Sequence, residues 1–186
     1  VHVFPELRVG TIGIRRGSLT AAAAKLEIEL IGESGHGARP HEAVDAIWVA
    51  AKVISGLQEA ISRCLDSLDP VVISFGKIQG GNAFNVIADS VKLVGTVRCL
   101  DRSLKQDLPH WIQEKVESIA HSFGAKVVIN YCPIAPPVFN DYDLTDLLEK
   151  SAVSLLGSNK VVRLEKPSLG AEDFAEFLQV VPGTMF

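Results

Sequence analysis

Between Lys25 and Ile31 the chain alternates strictly, with Leu26, Ile28 and Leu30 set between Lys25, Glu27 and Glu29. A period of two sends successive side chains to opposite faces of an extended chain. The segment therefore reads as a strand buried on one face and wet on the other. Further along, Val44, Ile47, Ala51, Ile54 and Ile61 recur at helical spacing, which predicts a helix entered after Pro40 and ended near Cys64. Val71 to Ile78 and Val91 to Leu100 are rich in β-branched residues and flank the turn signal Gly80-Gly81-Asn82, so they read as two more strands. Leu104, Leu108, Ile112, Val116, Ile119 and Phe123 mark a second amphipathic helix, with Gly124 as its stop and Val127, Ile129 and Tyr131 as a last strand. A β-α-β-β-α-β order makes a four-stranded antiparallel sheet with both helices on one face. That is the ferredoxin-like arrangement, in the α+β class.

The pattern changes after Pro133. Pro136-Pro137 forms a stiff connector, Leu144 to Leu156 reads as a helix capped at Gly157, Val161 to Leu164 as a short buried strand, and Ala171 to Val181 as a short helix. The flanks are each too small to hold a core alone. We therefore expect residues 1–19 and 134–186 to belong together in a second domain, with residues 20–133 inserted between them. The chain opens on Val1 and stops just after Pro182-Gly183, so both ends read as cut through structure.

A net charge of -4 offers no clustered cationic footprint for nucleic acid or an anionic membrane. No apolar run approaches the roughly 20 residues of a membrane span, and the start lacks the pattern of a signal peptide. Cys64, Cys99 and Cys132 are widely separated and form no C-x-x-C pair, which argues against a disulfide framework or a compact zinc site and favours the cytoplasm.

The stretch Gly35-His36-Gly37-Ala38-Arg39-Pro40-His41 joins the first strand to the first helix. Glycines on both sides of His36 allow a sharp turn that leaves the imidazole standing out, placed to donate to a developing oxyanion or simply solvated. His41 reads as structural, capping the helix or packing beneath the loop. In Gly81-Asn82-Ala83-Phe84-Asn85-Val86-Ile87, Asn85 enters a strand, and Arg98 follows thirteen positions later, where its guanidinium can fork onto a carboxylate. Ordinary turn chemistry and a surface strand residue are the plain alternatives. His2, in His2-Val3-Phe4-Pro5, is a single possible metal ligand. Glu172 and Asp173 stand at a predicted helix start, where capping is the default role for acids. His110 and His121 lie on the second helix without a partner at ligand spacing.

Taken in order, these motifs, with Gly95-Thr96-Val97-Arg98 and Gly170-Ala171-Glu172-Asp173-Phe174-Ala175, resemble the aminoacylase, hippurate hydrolase and carboxypeptidase G family of amidohydrolases, which includes the plant auxin-conjugate hydrolases. The resemblance covers essentially the whole chain. It implies a ferredoxin-like lid and dimerisation domain flanked by pieces of an α/β zinc-peptidase-like catalytic domain. By the same resemblance, His2 matches a ligand to one of two divalent metal ions, commonly zinc, manganese, cobalt or nickel. His36 matches a lid histidine that polarises the scissile carbonyl in the partner subunit's site. Asn85 and Arg98 match substrate-binding lid residues, and Glu172 and Asp173 match a motif lining the substrate pocket. The implied reaction is amide hydrolysis of N-acyl amino acids by a homodimer.

Departures are equally plain. The family's upstream Cys-Gly-His motif, its Glu-Glu pair and its last histidine ligand are absent, and Ala88 replaces the usual proline after Asn-Val-Ile. Each metal needs about four ligands, so the expectation is a segment of an enzyme that is inactive alone. The competing expectation is a noncatalytic ferredoxin-like module that oligomerises or binds a small ligand.

Overall fold

A computed structural model describes residues 2–68, 70–101 and 104–186. Val1, and the side chain of Leu104 expected on the buried stripe of the second helix, lie outside the described set. In chain order the first elements are β1 (Ile12–Ile14), β2 (Gly17–Ser18), β3 (Ala22–Ile31), β4 (Gly35–His36), α1 (Ala46–Cys64) and β5 (Val71–Gly80). They are followed by β6 (Val86–Ile87), β7 (Ser90–Cys99), α2 (Leu104–Ser122), β8 (Lys126–Ala135), β9 (Phe139–Asn140), α3 (Tyr142–Leu156), β10 (Val161–Arg163) and α4 (Phe174–Phe177). The chain forms two compact units, one of Ala24–Arg98 and Arg102–Pro133, the other of Val1–Ala23, Cys99–Asp101 and Ile134–Phe186.

The first unit is built on a four-stranded sheet in the order β5-β7-β3-β8. Its first and third strands are central and its second and fourth are the edges, which is the ferredoxin-like order the sequence predicts. Leu26, Ile28 and Leu30 are fully buried. On the opposite face Lys25 Nζ lies 2.9 Å from Glu27 Oε1, and Lys92 Nζ on β7 lies 3.6 Å from the same oxygen. Hydrogen bonding to Lys25 draws the Glu27 carboxyl below its ordinary range, and the Glu27 carboxylate raises the Lys25 ammonium in return.

Helices α1 and α2 pack on each other. Leu108, Ile112, Val116 and Ala120 form the buried stripe of α2, and Gly124 ends that element at φ +78°. On α1 the buried residues are Ala46, Val49, Ala50, Val53 and Leu57, whereas Ile47 is 49% exposed. The stripe expected from Val44, Ile47, Ala51, Ile54 and Ile61 is thus rotated from the true one. The first turns of α1 are apolar nearly all round, so periodicity alone does not choose a face.

The start of α1 also differs from expectation. Pro40–Glu42 makes a separate 3-10 turn, and Asp45 caps α1 by accepting from the N–H groups of Ile47 and Trp48 at 2.9 and 3.1 Å. His41 neither caps nor packs beneath the loop. Its imidazole is exposed, with Nε2 3.6 Å from Glu42 Oε1.

In the second unit β1 pairs in parallel with β10, Ile12 opposite Val161, and α3 packs on both strands. Asp141 accepts from the Leu144 N–H at 2.9 Å and Gly157 closes α3 at φ +86°. β2 pairs antiparallel with β9, placing Gly17 opposite Asn140. The Asn140 side chain is wholly buried: its Nδ2 donates to the carbonyls of Arg15 and Met185 at 2.8 and 2.9 Å, and its Oδ1 accepts from the Met185 N–H at 2.8 Å. Beside it Leu19, Val138, Ala175 and Met185 form a small core.

Two expectations fail in this unit. The strand after α3 is not buried, since Val162 and Arg163 are exposed. The helix expected from Ala171 to Val181 shrinks to one turn, α4 (Phe174–Phe177), whose start lacks a side-chain cap.

Candidate functional site

His36 sits on a two-residue strand that the sequence gives no periodicity to reveal. β4 pairs antiparallel with β6, His36 opposite Val86, and the Gly37 N–H donates to the Asn85 carbonyl at 2.9 Å. Two motifs more than forty residues apart in sequence therefore meet. Gly37 is what allows the approach, because a Cβ there would lie 2.9 Å from the Asn85 carbonyl oxygen. Phe84, next to Asn85, is fully exposed.

The ring of His36 is exposed and its Nδ1 accepts a hydrogen bond from the Ala38 N–H at 3.1 Å. A nitrogen that accepts carries no proton, so the neutral imidazole holds its proton on Nε2, as a donor. This is the tautomer needed to bind a carbonyl oxygen as it gains charge.

Arg98 is half-buried near the end of β7. Its Nη1 donates to the Val97 carbonyl at 3.0 Å and to the Thr96 hydroxyl, which in turn donates to the Ala24 carbonyl at 3.3 Å. The guanidinium thus lies along its own strand.

In the other unit His2 Nδ1 lies 2.6 Å from Glu172 Oε2. Capping, the default expected of the two acids, is not what they do. Glu172 points to His2, and Asp173 makes no side-chain cap bond although it stands at the N-cap of α4. His2 and Glu172 line a cleft of about 860 Å³ that also takes in Thr20, Gly170, Met185 and Phe186. Among the described residues no group of three or more His, Cys, Asp or Glu side chains is placed to hold a metal ion. His2, with Nδ1 engaged and Nε2 left open, fits the part of a single ligand. On α2, His110 does have an acidic neighbour, Glu114, with 3.1 Å between Nε2 and Oε1, but the pair is exposed.

Sequence reasoning singled out His36, Asn85, His2 and Glu172 without pairing them. The glycines beside His36 were the available signal for the first pair. No local pattern announces the second, whose members are separated by most of the chain.

Residues 19–126 match the family model described as the peptidase dimerisation domain. Over its whole length the chain is 52% identical to a Synechocystis sp. protein named "probable hydrolase", covering 47% of that protein. It is 36% identical to an N-acetylcysteine deacetylase of Bacillus subtilis, over 98% of this chain and 47% of the relative. The chain spans about half the length of these curated relatives. Among solved structures, a Bacillus subtilis dinuclear metal-binding peptidase of the M20 family superposes with a TM-score of 0.79 at 31% identity, covering 98% of this chain and 45% of the other. With that match over more than half of its residues, on the ferredoxin-like unit described above, the chain belongs to the M20 peptidase dimerisation-domain family.

Proposed function

We propose that this chain is part of a metal-dependent amidohydrolase that cleaves N-acyl amino acids into a carboxylic acid and a free amino acid. The names of its relatives, hydrolase and N-acetylcysteine deacetylase, support the reaction class. In this reading residues 20–133 form the lid and dimerisation domain, and residues 1–19 and 134–186 contribute to the catalytic domain. The edge strands β5 and β8 expose Ile78 and Val128, which suits pairing with a second copy into a homodimer. Among the described residues no helix is long and apolar enough to cross a membrane, and exposed Cys64 as a thiol suits a cytoplasmic site.

His2 would hold one of two divalent ions, and such ions, when bound, supply a Lewis acid and an acidified water. The rest falls to the chain's own groups. His36, fixed as an Nε2–H donor by the Ala38 amide, binds the scissile carbonyl oxygen and strengthens that bond as charge develops. Asn85, held beside it through Gly37, offers an amide to the substrate, and Arg98 supplies a cation for its carboxylate. Asp173, exposed beside Glu172, is not among the residues that line the cleft, so its part in substrate binding rests on the resemblance alone. The observation that carries the proposal is the His36–Asn85 juxtaposition with its defined tautomer.

The test is made on the full-length protein loaded with zinc, manganese or cobalt, with free amino acid measured after incubation with N-acetyl and N-benzoyl amino acids. Metal-dependent release that falls about 10²-fold or more in His36→Ala is expected for the loss of an oxyanion donor. A folded dimer that neither binds metal nor releases amino acid would favour a noncatalytic assembly module instead.

A further inference from the structure

Glu172 was expected on the wall of the substrate pocket, yet its carboxylate is spent on an imidazole. Oε2 lies 2.6 Å from His2 Nδ1, within the range of a charge-assisted hydrogen bond, and the glutamate side chain is only 15% exposed against 62% for the histidine. Both residues are also held from behind. The His2 N–H donates to the Phe186 carbonyl at 3.0 Å, and the neighbouring Met185 is pinned by buried Asn140. The Glu172 carbonyl accepts from Ala175, which is fully buried in the core formed with Leu19, Val138 and Met185. The acid is therefore a fixed post and the imidazole the exposed group leaning on it.

We propose that Glu172 is the positioning residue for His2, accepting a hydrogen bond from its Nδ1–H so that the Nε2 lone pair is presented to a divalent metal ion. This rests on the reading of His2 as a metal ligand. A carboxylate on Nδ1 fixes the tautomer and ring orientation and makes Nε2 a better donor to the metal. The arrangement is the reverse of that at His36. There a backbone N–H occupies Nδ1 and leaves Nε2 protonated, whereas at His2 an acceptor occupies Nδ1 and leaves Nε2 bare. A carboxylate only partly exposed and turned to an imidazole has little freedom left to bind substrate. Glu172 thus acts on the reaction only through the ligand it steadies.

The experiment uses the full-length protein and reads metal binding directly, by zinc competition against a chromophoric chelator and by the visible spectrum of the cobalt form. Wild type, Glu172→Gln, Glu172→Ala and His2→Ala are compared. Glu172→Gln, whose amide oxygen still accepts from Nδ1, should keep two metals per chain but bind one of them about 10-fold more weakly, and Glu172→Ala about 100-fold more weakly. His2→Ala should lose one metal. Unchanged affinity in both Glu172 variants would overturn the proposal, as would loss of one metal in Glu172→Gln, which would make the acid a ligand itself. Should Glu172→Ala not fold, the Gln variant and the ¹⁵N shifts of His2 in metal-free protein, which report whether Nδ1 carries the proton, decide the matter. Two metals retained by His2→Ala would instead sink the ligand reading on which the proposal stands, and is distinguishable because it needs no change at Glu172.

Discussion

Gly37→Ala tests whether the His36–Asn85 pairing carries function. The added Cβ would stand 2.9 Å from the Asn85 carbonyl oxygen and 3.2 Å from its carbonyl carbon, both backbone atoms that cannot swing aside. Relief to ordinary contact, 3.4 Å, needs the two strands to part by about 0.5 Å. That movement also stretches the Gly37–Asn85 hydrogen bond, now 2.9 Å, so about 1–3 kcal/mol of local stability is lost between overpacking and the weakened bond. A misplacement of about 1 Å costs on the order of 10²-fold in rate, so half of that predicts a loss near 10-fold. Because His36 is asked to act on the transition state, the loss should fall on kcat and spare KM. The assay is steady-state hydrolysis of an N-acetyl amino acid by the full-length protein, with metal content and dimer mass checked in parallel. Wild-type kcat in a metal-replete Gly37→Ala dimer would refute the reasoning, and so would a loss explained by missing metal.

Asn140→Ala should destabilise its unit by about 3 kcal/mol, since it strands two carbonyls and one N–H of the backbone in a buried place. Hydrogen exchange should show the Met185 amide losing protection before amides elsewhere in the unit, and unchanged protection there would count against the tether. For Glu27, the folded state binds its proton less tightly than the unfolded chain, whose value is near 4.5. Its contribution to stability is therefore fully present above that pH and is lost as pH falls through its lowered value. Lys25 is exposed and Glu27 only partly covered, so the difference between wild type and Glu27→Gln in acid unfolding should be small and should vanish in molar salt. An acid transition identical in the two proteins at low salt would remove Glu27 from the account.

How much of this was legible in the sequence depends on how far each feature rests on repetition. β3 and α2 were readable because Leu26, Ile28 and Leu30, and then Leu108, Ile112 and Val116, repeat at the period of the element they form, and each repeat is buried. α1 was readable as a helix but not by face, because Ile47 and Trp48 are as apolar as the Val49 and Val53 that the fold in fact buries. Nothing in the order of residues states which stripe meets α2. The face that does meet it carries Gly56, where a Cβ would come within 2.6 Å of Ile119 Cδ1.

The site obeys a different logic, in which identity is local and arrangement is not. Flanking glycines drew attention to His36, and the order of the motifs, through the family resemblance, to Asn85, His2 and Glu172, yet an imidazole's chemistry is set by what occupies its other nitrogen. That partner is two residues away for His36 and at the other end of the chain for His2. Only the first lies within reach of a sequence motif, since the loop that lifts His36 also supplies the Ala38 amide. The second requires that β2, β9 and the segment around Met185 first assemble around Asn140, for it is this packing that holds Phe186 against His2 and seats Ala175 behind Glu172. A substitution at Asn140 should therefore reach the His2 imidazole without touching it, which makes the buried amide part of the site's support.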